Sequence, residues 1–165
     1  MSRVFRPNVF TALLVAAILV FIAVAVTVPV ETVLVVEDIE TDEQYLTEPV
    51  SDESTVGLEY THSVEKSRVY DEYRVDDQTL VNTRMEFESY GWGLPTGVDV
   101  TTADGMFVYE PSEPIAQLHS LSVSPGQTAG HTLIIDDHRY DLVTATNASD
   151  VCIHVEQRSL VERIL

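Results

Sequence analysis

The sequence predicts an all-β body, a sandwich or partly open barrel of about eight or nine short antiparallel strands, preceded by one N-terminal transmembrane helix. Three observations carry this. Residues 8–30 hold no charged side chain. Beyond them, segments rich in Val, Thr and Tyr are broken by turn residues roughly every 8–12 positions. Several of these segments alternate apolar and polar residues, the period of a strand with one packed face and one wet face.

The elements follow in order. Val9–Val30 is 22 residues, roughly 33 Å if helical, enough to cross a hydrocarbon core. Pro29 stands where it can stop the helix. Arg3 and Arg6 precede the segment and acids follow it, so the positive-inside rule places the N-terminus in the cytoplasm and the rest outside. The expected division is therefore an anchor over 1–30 and an extracellular β domain over 31–165, in a single-pass protein of the cell membrane. A signal peptide cleaved near Ala23-Val24-Ala25 is the alternative.

Strands are expected at Thr32–Glu37, Val56–His62, Arg68–Val75, Leu80–Glu88, Met106–Glu110, Ile115–Val123, His131–Ile135, Tyr140–Ala145 and Val151–Glu156. Val56, Leu58 and Tyr60 share a face, as do Val81, Thr83, Met85 and Phe87, and as do Val151, Ile153 and Val155. Asp76-Asp77-Gln78, Ser124-Pro125-Gly126 and Asp136-Asp137-His138 read as turns. The acidic stretch Thr41–Glu53 reads as a solvated loop. Ser159–Leu165 reads as a short helical turn anchored by Leu160, Ile164 and Leu165.

Composition bounds the function. The 165 residues suit one ordinary domain. With 9 Lys+Arg against 27 Asp+Glu, the formal charge is −18. That balance excludes a nucleic-acid partner, which needs a basic footprint, and docking on anionic lipid through a basic patch. Residues 31–165 hold all 27 acids and seven basic residues, only one of them a lysine, a net charge of −20. A surface so rich in carboxylate suits molar salt, which screens the mutual repulsion to a Debye length of about 3 Å; an acidic protein of ordinary salinity is the alternative. The one cysteine, Cys152, rules out an intrachain disulfide framework and a Cys-rich zinc site. Export would make Asn147-Ala148-Ser149 a glycosylation acceptor, with an unmodified surface turn as the alternative.

Two clusters stand out. Glu59-Tyr60-Thr61-His62-Ser63-Val64-Glu65-Lys66-Ser67 holds the only lysine beside a histidine and a serine. Ser89-Tyr90-Gly91-Trp92-Gly93-Leu94-Pro95-Thr96-Gly97 holds three glycines and the only tryptophan. Glycines at this density point to left-handed backbone angles or to close approach by another group. These positions, His62, Ser63, Val64 and Glu72 followed by Ser89, Tyr90, Gly91, Gly93, Leu94 and Pro95, resemble the domain-of-unknown-function 1850 family. That family's pattern is His-Ser-Val at a strand end, a following Glu, then Ser-aromatic-Gly-x-Gly-Leu-Pro. The likeness extends more loosely over residues 32–157, as for a haloarchaeal-like member. It implies a small exported protein encoded near tripartite TRAP transporters of the TAXI type, with a transporter membrane subunit or solute receptor as partner. It implies no catalytic residues and no cofactor.

The candidate ligand- or partner-binding set is His62, Ser63, Lys66, Glu72, Ser89, Gly91, Gly93 and Pro95. The histidine and lysine would supply positive or switchable donors, and the serines and loop amides neutral ones, suited to a carboxylate of a small organic acid or of a partner protein. The competing reading is structural: Lys66 pairs with Glu65 or Glu72, and His62 caps its strand. A serine-dependent hydrolase is a second class, but neighbouring residues of a strand point to opposite faces, which separates His62 from Ser63, and no Gly-x-Ser-x-Gly elbow is present. A metal-binding extracellular domain is a third, with Asp136-Asp137-His138 as its best local candidate and a hairpin turn as the simpler account.

Overall fold

A computed structural model describes residues 9–27, 29–91 and 93–159. Arg3, Arg6, Trp92 and the expected terminal turn with Leu160, Ile164 and Leu165 lie outside the described residues. The chain divides into two units, one containing the N-terminal helix and the other spanning Thr32–Glu156.

Helix α1 runs Val9–Thr27. It ends before Pro29, which opens the first strand, so the expected stop is correct and the helix is shorter than the apolar stretch. Its 19 residues reach about 28 Å. Among the described residues no helix is long and apolar enough to cross a membrane.

The second unit is mostly strand. Along the chain the strands are β1 Pro29–Asp38, β2 Gln44–Pro49, β3 Thr55–Thr61, β4 Arg68–Asp76, β5 Thr79–Phe87, β6 Thr101–Ala103, β7 Met106–Tyr109, β8 Ala116–Leu118, β9 Ser120–Val123, β10 Thr132–Ile135, β11 His138–Asp141 and β12 Val151–Ser159, with a one-turn helix α2 at Leu142–Ala145. Four form a sheet in the order β2-β1-β12-β9. The larger sheet has the order β11-β10-β3-β4-β5-β7-β6, with β8 also on β5. The β3–β4, β4–β5, β10–β3 and β9–β12 pairings are all antiparallel. Neither sheet closes into a barrel.

The core lies between the sheets. Leu34, Val36, Val123, Val151, Ile153 and Val155 from the smaller sheet pack with Val56, Leu58, Tyr73, Val75, Leu80, Leu133 and Ile135 from the larger. A second cluster of Val69, Phe87 and Leu94, with Tyr60, Met85, Val100, Phe107 and Tyr109, draws no residue from the smaller sheet.

Several expectations need correction. Thr41–Glu53 is not one loop: Gln44–Pro49 pairs with β1, and Tyr45 and Leu46 pack on the core. Its acids suit an edge strand, where charge discourages pairing with another chain. Ile115–Val123 is two strands, because the chain changes sheets at His119: Leu118 pairs with Leu80, while Ser120 pairs with His154. Tyr140–Ala145 is strand only to Asp141, whose carboxylate accepts the Thr144 N–H (3.2 Å) and Oγ1–H (2.8 Å) and so caps α2. The alternation of Val81 with Phe87 fails at a bulge, where Glu72 opposes Arg84 but Tyr73 opposes Asn82. Leu80 and Asn82 therefore join Phe87 on the core face of the sheet.

Candidate functional site

β3 ends at Thr61, and the chain turns through residues 62–67 into β4. The His62 N–H donates to Ser67 O (2.8 Å), and the Lys66 N–H donates to His62 O (2.9 Å). The His62 ring caps the turn: Nδ1 accepts the N–H groups of Val64 (3.3 Å) and Glu65 (3.1 Å). Lys66 closes the turn with a φ of 57°, in the left-handed region.

The glycine-rich loop packs against this turn. Ser89 Oγ lies 2.7 Å from Ser67 Oγ. A Cβ on Gly91 would meet Glu65 Cγ at 2.6 Å, so this glycine permits close approach. Gly93 has a φ of 84° and supplies the backbone angle that carries Leu94 back into the second apolar cluster. The Leu94 N–H donates to Gly91 O (3.2 Å). Phe87, Tyr90 and Phe107 form an aromatic group beside it, with ring centres 4.7–5.7 Å apart. The two sequence clusters are therefore neighbours in space.

They border a cleft of about 430 Å³ lined by Tyr60, Thr61, His62, Ser63, Gly93, Leu94, Ser124, Ala129 and His131. Of the eight sequence candidates, His62, Ser63 and Gly93 line it. Gly91 lines a shallower depression with Tyr90, Gly93, Leu94 and Thr96. Ser89 holds the loops together, and Pro95 is half-buried next to Leu94. Lys66 is exposed on the turn and does not line the cleft; it forms no ion pair with Glu65 or Glu72. Glu72 is displaced altogether. It sits on the outer face of the larger sheet, opposite Gly57 and Arg84, and accepts from the Tyr70 hydroxyl at 3.4 Å. The reason is strand parity: its neighbours Asp71 and Tyr73 occupy the inner face.

Beneath the cleft lies a polar floor. Tyr60 stacks on His131, with ring centres 5.3 Å apart. The Tyr60 hydroxyl donates to Asp71, which is 6% exposed on the core face, and the other Asp71 oxygen finds no partner among the described residues. Burial pushes the Asp71 carboxyl up to about 6, against the lowering effect of the Tyr60 hydrogen bond. Burial and the Asp71 charge raise the Tyr60 hydroxyl in turn. Burial lowers His131, whose Nδ1 is enclosed without a partner among the described residues. Asp71 was findable from sequence, as the one acid in the alternating run Val69, Asp71, Tyr73 and Val75. His131 and Ser124 were not, because nothing local marks them.

The outer face of the larger sheet carries a chain of ion pairs. Arg139 reaches Glu59 (2.6 Å), Glu59 reaches Arg68 (2.8 Å), Arg68 reaches Glu86 (3.2 Å), and Glu86 reaches Arg84 (2.7 Å). Burial alone would raise Glu59, but the Arg68 and Arg139 hydrogen bonds hold its carboxyl below the ordinary range. The local metal candidate of the sequence, Asp136-Asp137-His138, is a hairpin: Ile135 pairs with His138, Asp136 has a φ of 49°, and its Oδ1 accepts the Thr55 N–H.

The cleft thus offers hydroxyls from Thr61, Ser63 and Ser124, the rings of Tyr60, His62 and His131, and no arginine among its described lining residues. It suits a small polar ligand or a polar segment of a partner. No curated protein and no solved structure is significantly similar to the chain. The family model described as "Domain of unknown function (DUF1850)" matches residues 56–142, from the start of β3 through β11 into α2, and so takes in both loops of the site: the chain belongs to this family.

Proposed function

We propose that the protein is a membrane-anchored, extracellular binding or accessory module without catalysis, associated with a TRAP-type transporter of the TAXI class. The observation that carries the binding role is the convergence of two sequence-distant loops on one polar cleft, joined by the Ser67–Ser89 contact. The anchor is supported by α1. Val9, Phe10, Leu13 and Phe21 are strongly exposed, and a helix apolar all round is at ease only when lipid or protein covers it. The apolar stretch continues in sequence to Val30. At about 28 Å, α1 comes close to a hydrocarbon core about 30 Å thick, and flanking residues or local bilayer thinning absorb such a difference. The transporter partnership rests on the family resemblance. One hydrolytic pairing is disfavoured: His62 Nδ1 already accepts two backbone N–H groups and so does not serve as a base for Ser63.

A gentle detergent pulldown of the tagged full chain from native membranes tests this reading. Co-purification of transporter subunits, lost on substituting His62 and Ser63 together by Ala while the chain stays folded, is the expected result. Recovery of the folded chain without any transporter subunit would overturn the partnership. Ester hydrolysis abolished by Ser63→Ala would overturn the non-catalytic reading.

A further inference from the structure

The outer face of the smaller sheet holds a group of side chains that neither the cleft nor the family match includes. β12 alternates strictly: Val151, Ile153 and Val155 enter the core, so Cys152, His154 and Glu156 face the other way. Glu37 comes from the neighbouring strand β1. One ligand atom from each of Glu37, Cys152 and His154 lies within 4.8 Å of the other two, and all three residues are half-buried. Glu37 Oε1 is 3.7 Å from His154 Nδ1, and Glu156 Oε2 is 3.7 Å from His154 Nε2. Ser122 and Ser120 stand opposite Cys152 and His154 on β9.

We propose that Glu37, Cys152 and His154 form a zinc site with one open coordination position, with Glu156 orienting the histidine. The donor set is a thiolate, an imidazole and a carboxylate, which matches a borderline-soft divalent ion and is a poor match to calcium or magnesium. Tetrahedral zinc with bonds of about 2.0–2.3 Å places its donors roughly 3.3–3.8 Å apart. The 3.7 Å separation of Glu37 Oε1 and His154 Nδ1 already meets that spacing, and the thiol closes the triangle by a small rotation. Ligation through Nδ1 leaves Nε2–H pointing at Glu156, the carboxylate–histidine–metal arrangement that fixes a ring's tautomer and orientation. Three protein ligands leave the fourth position to water or to a donor from a partner. The sequence conceals the site because a lone Cys-x-His has no ligand spacing of its own; the third donor arrives from 115 residues upstream through the β1–β12 neighbourhood.

The test is a titration of the full chain in detergent with Co²⁺ and then Zn²⁺, in molar NaCl with excess Mg²⁺ to suppress diffuse binding by surface carboxylates. One equivalent of Co²⁺ should produce a thiolate-to-metal charge-transfer band, which Zn²⁺ removes by displacement. Cys152→Ser should abolish the band and lower zinc affinity more than 100-fold, and Glu156→Gln should lower it about 10- to 100-fold. Stoichiometric zinc should also slow alkylation of Cys152 in the unaltered chain, a readout that does not depend on any variant folding. A titration without the band, alkylation indifferent to zinc, or a folded Cys152→Ser variant with affinity within threefold of the original would each overturn the proposal.

Discussion

Replacing Gly57 by Ala should destabilise the domain, although alanine in a strand interior is ordinarily the better residue by about 0.5–1 kcal/mol. Gly57 lies in β3, between β10 and β4, opposite Ile134 and Glu72. The Tyr70 ring folds across it on the outer face. A Cβ at Gly57 would stand 2.4 Å from Tyr70 Cε2, 2.6 Å from the hydroxyl oxygen and 2.9 Å from Cζ. The ring is not free to yield. Its hydroxyl donates to Glu72, and the Arg68 guanidinium lies 5.6 Å from its centre. Burial, then the Glu72 charge, pushes the Tyr70 hydroxyl up to about 12. Overpacking of this kind costs about 1–3 kcal/mol. Offset by the backbone gain, Gly57→Ala should lose about 1–2 kcal/mol. In a Tyr70→Ala background the clash is gone and the same change should be neutral or slightly stabilising. The double-mutant cycle should therefore show a coupling of about 1–3 kcal/mol. Urea unfolding at constant high salt reads these differences from midpoints at unchanged slope. A Gly57→Ala protein as stable as the original, or a coupling below about 0.5 kcal/mol, would refute the claim that Tyr70 requires a glycine beneath it.

Three further expectations concern charge and the loop contact. Asp71 titrates at about 6 in the folded chain and near 3.9 unfolded, so the native state binds more protons between those values and stability falls as pH rises across the window. The penalty above it is about 3 kcal/mol; Asp71→Asn should flatten the urea midpoint between pH 4 and 7, and an unchanged slope would contradict the buried-carboxylate account. His131 acts in the opposite sense: burial lowers its folded value, so stability is lost as pH falls below about 6.5, and His131→Phe should remove that loss while keeping a ring against Tyr60. Ser67→Ala and Ser89→Ala should each cost about 1 kcal/mol and the pair little more than one alone, since they share one hydrogen bond; full additivity in thermal unfolding would mean that the contact does not join the loops.

The strand periods were legible because burial on one face imposes a period of two wherever a strand is long enough to repeat it. β3, β4 and β12 show it in their side chains alone. β2 was hidden, because an edge strand tolerates acids that read as loop. β6 was missed because its three residues are too short to establish a period, although Asp104-Gly105 at φ 51° and 83° is the tight-turn pair that joins it to β7. The break at His119 was invisible for a related reason: a chain that changes sheets keeps its β-forming residues and changes only its partners.

From sequence alone came the charge-free N-terminal segment, the β class of the body, the extreme acidity and the two glycine- and histidine-bearing loops. These are properties of composition and of spacing over a few residues, where local sterics and solvation decide. Tertiary structure alone determined that His62, Ser63 and Gly93 share a cleft while Glu72 faces elsewhere, that Tyr60 and His131 line it with Asp71 buried behind Tyr60, and that Glu37 meets Cys152 and His154. Those juxtapositions depend on strand order and register, which are settled by how two sheets bury their apolar faces against each other and leave no trace in any short stretch of chain.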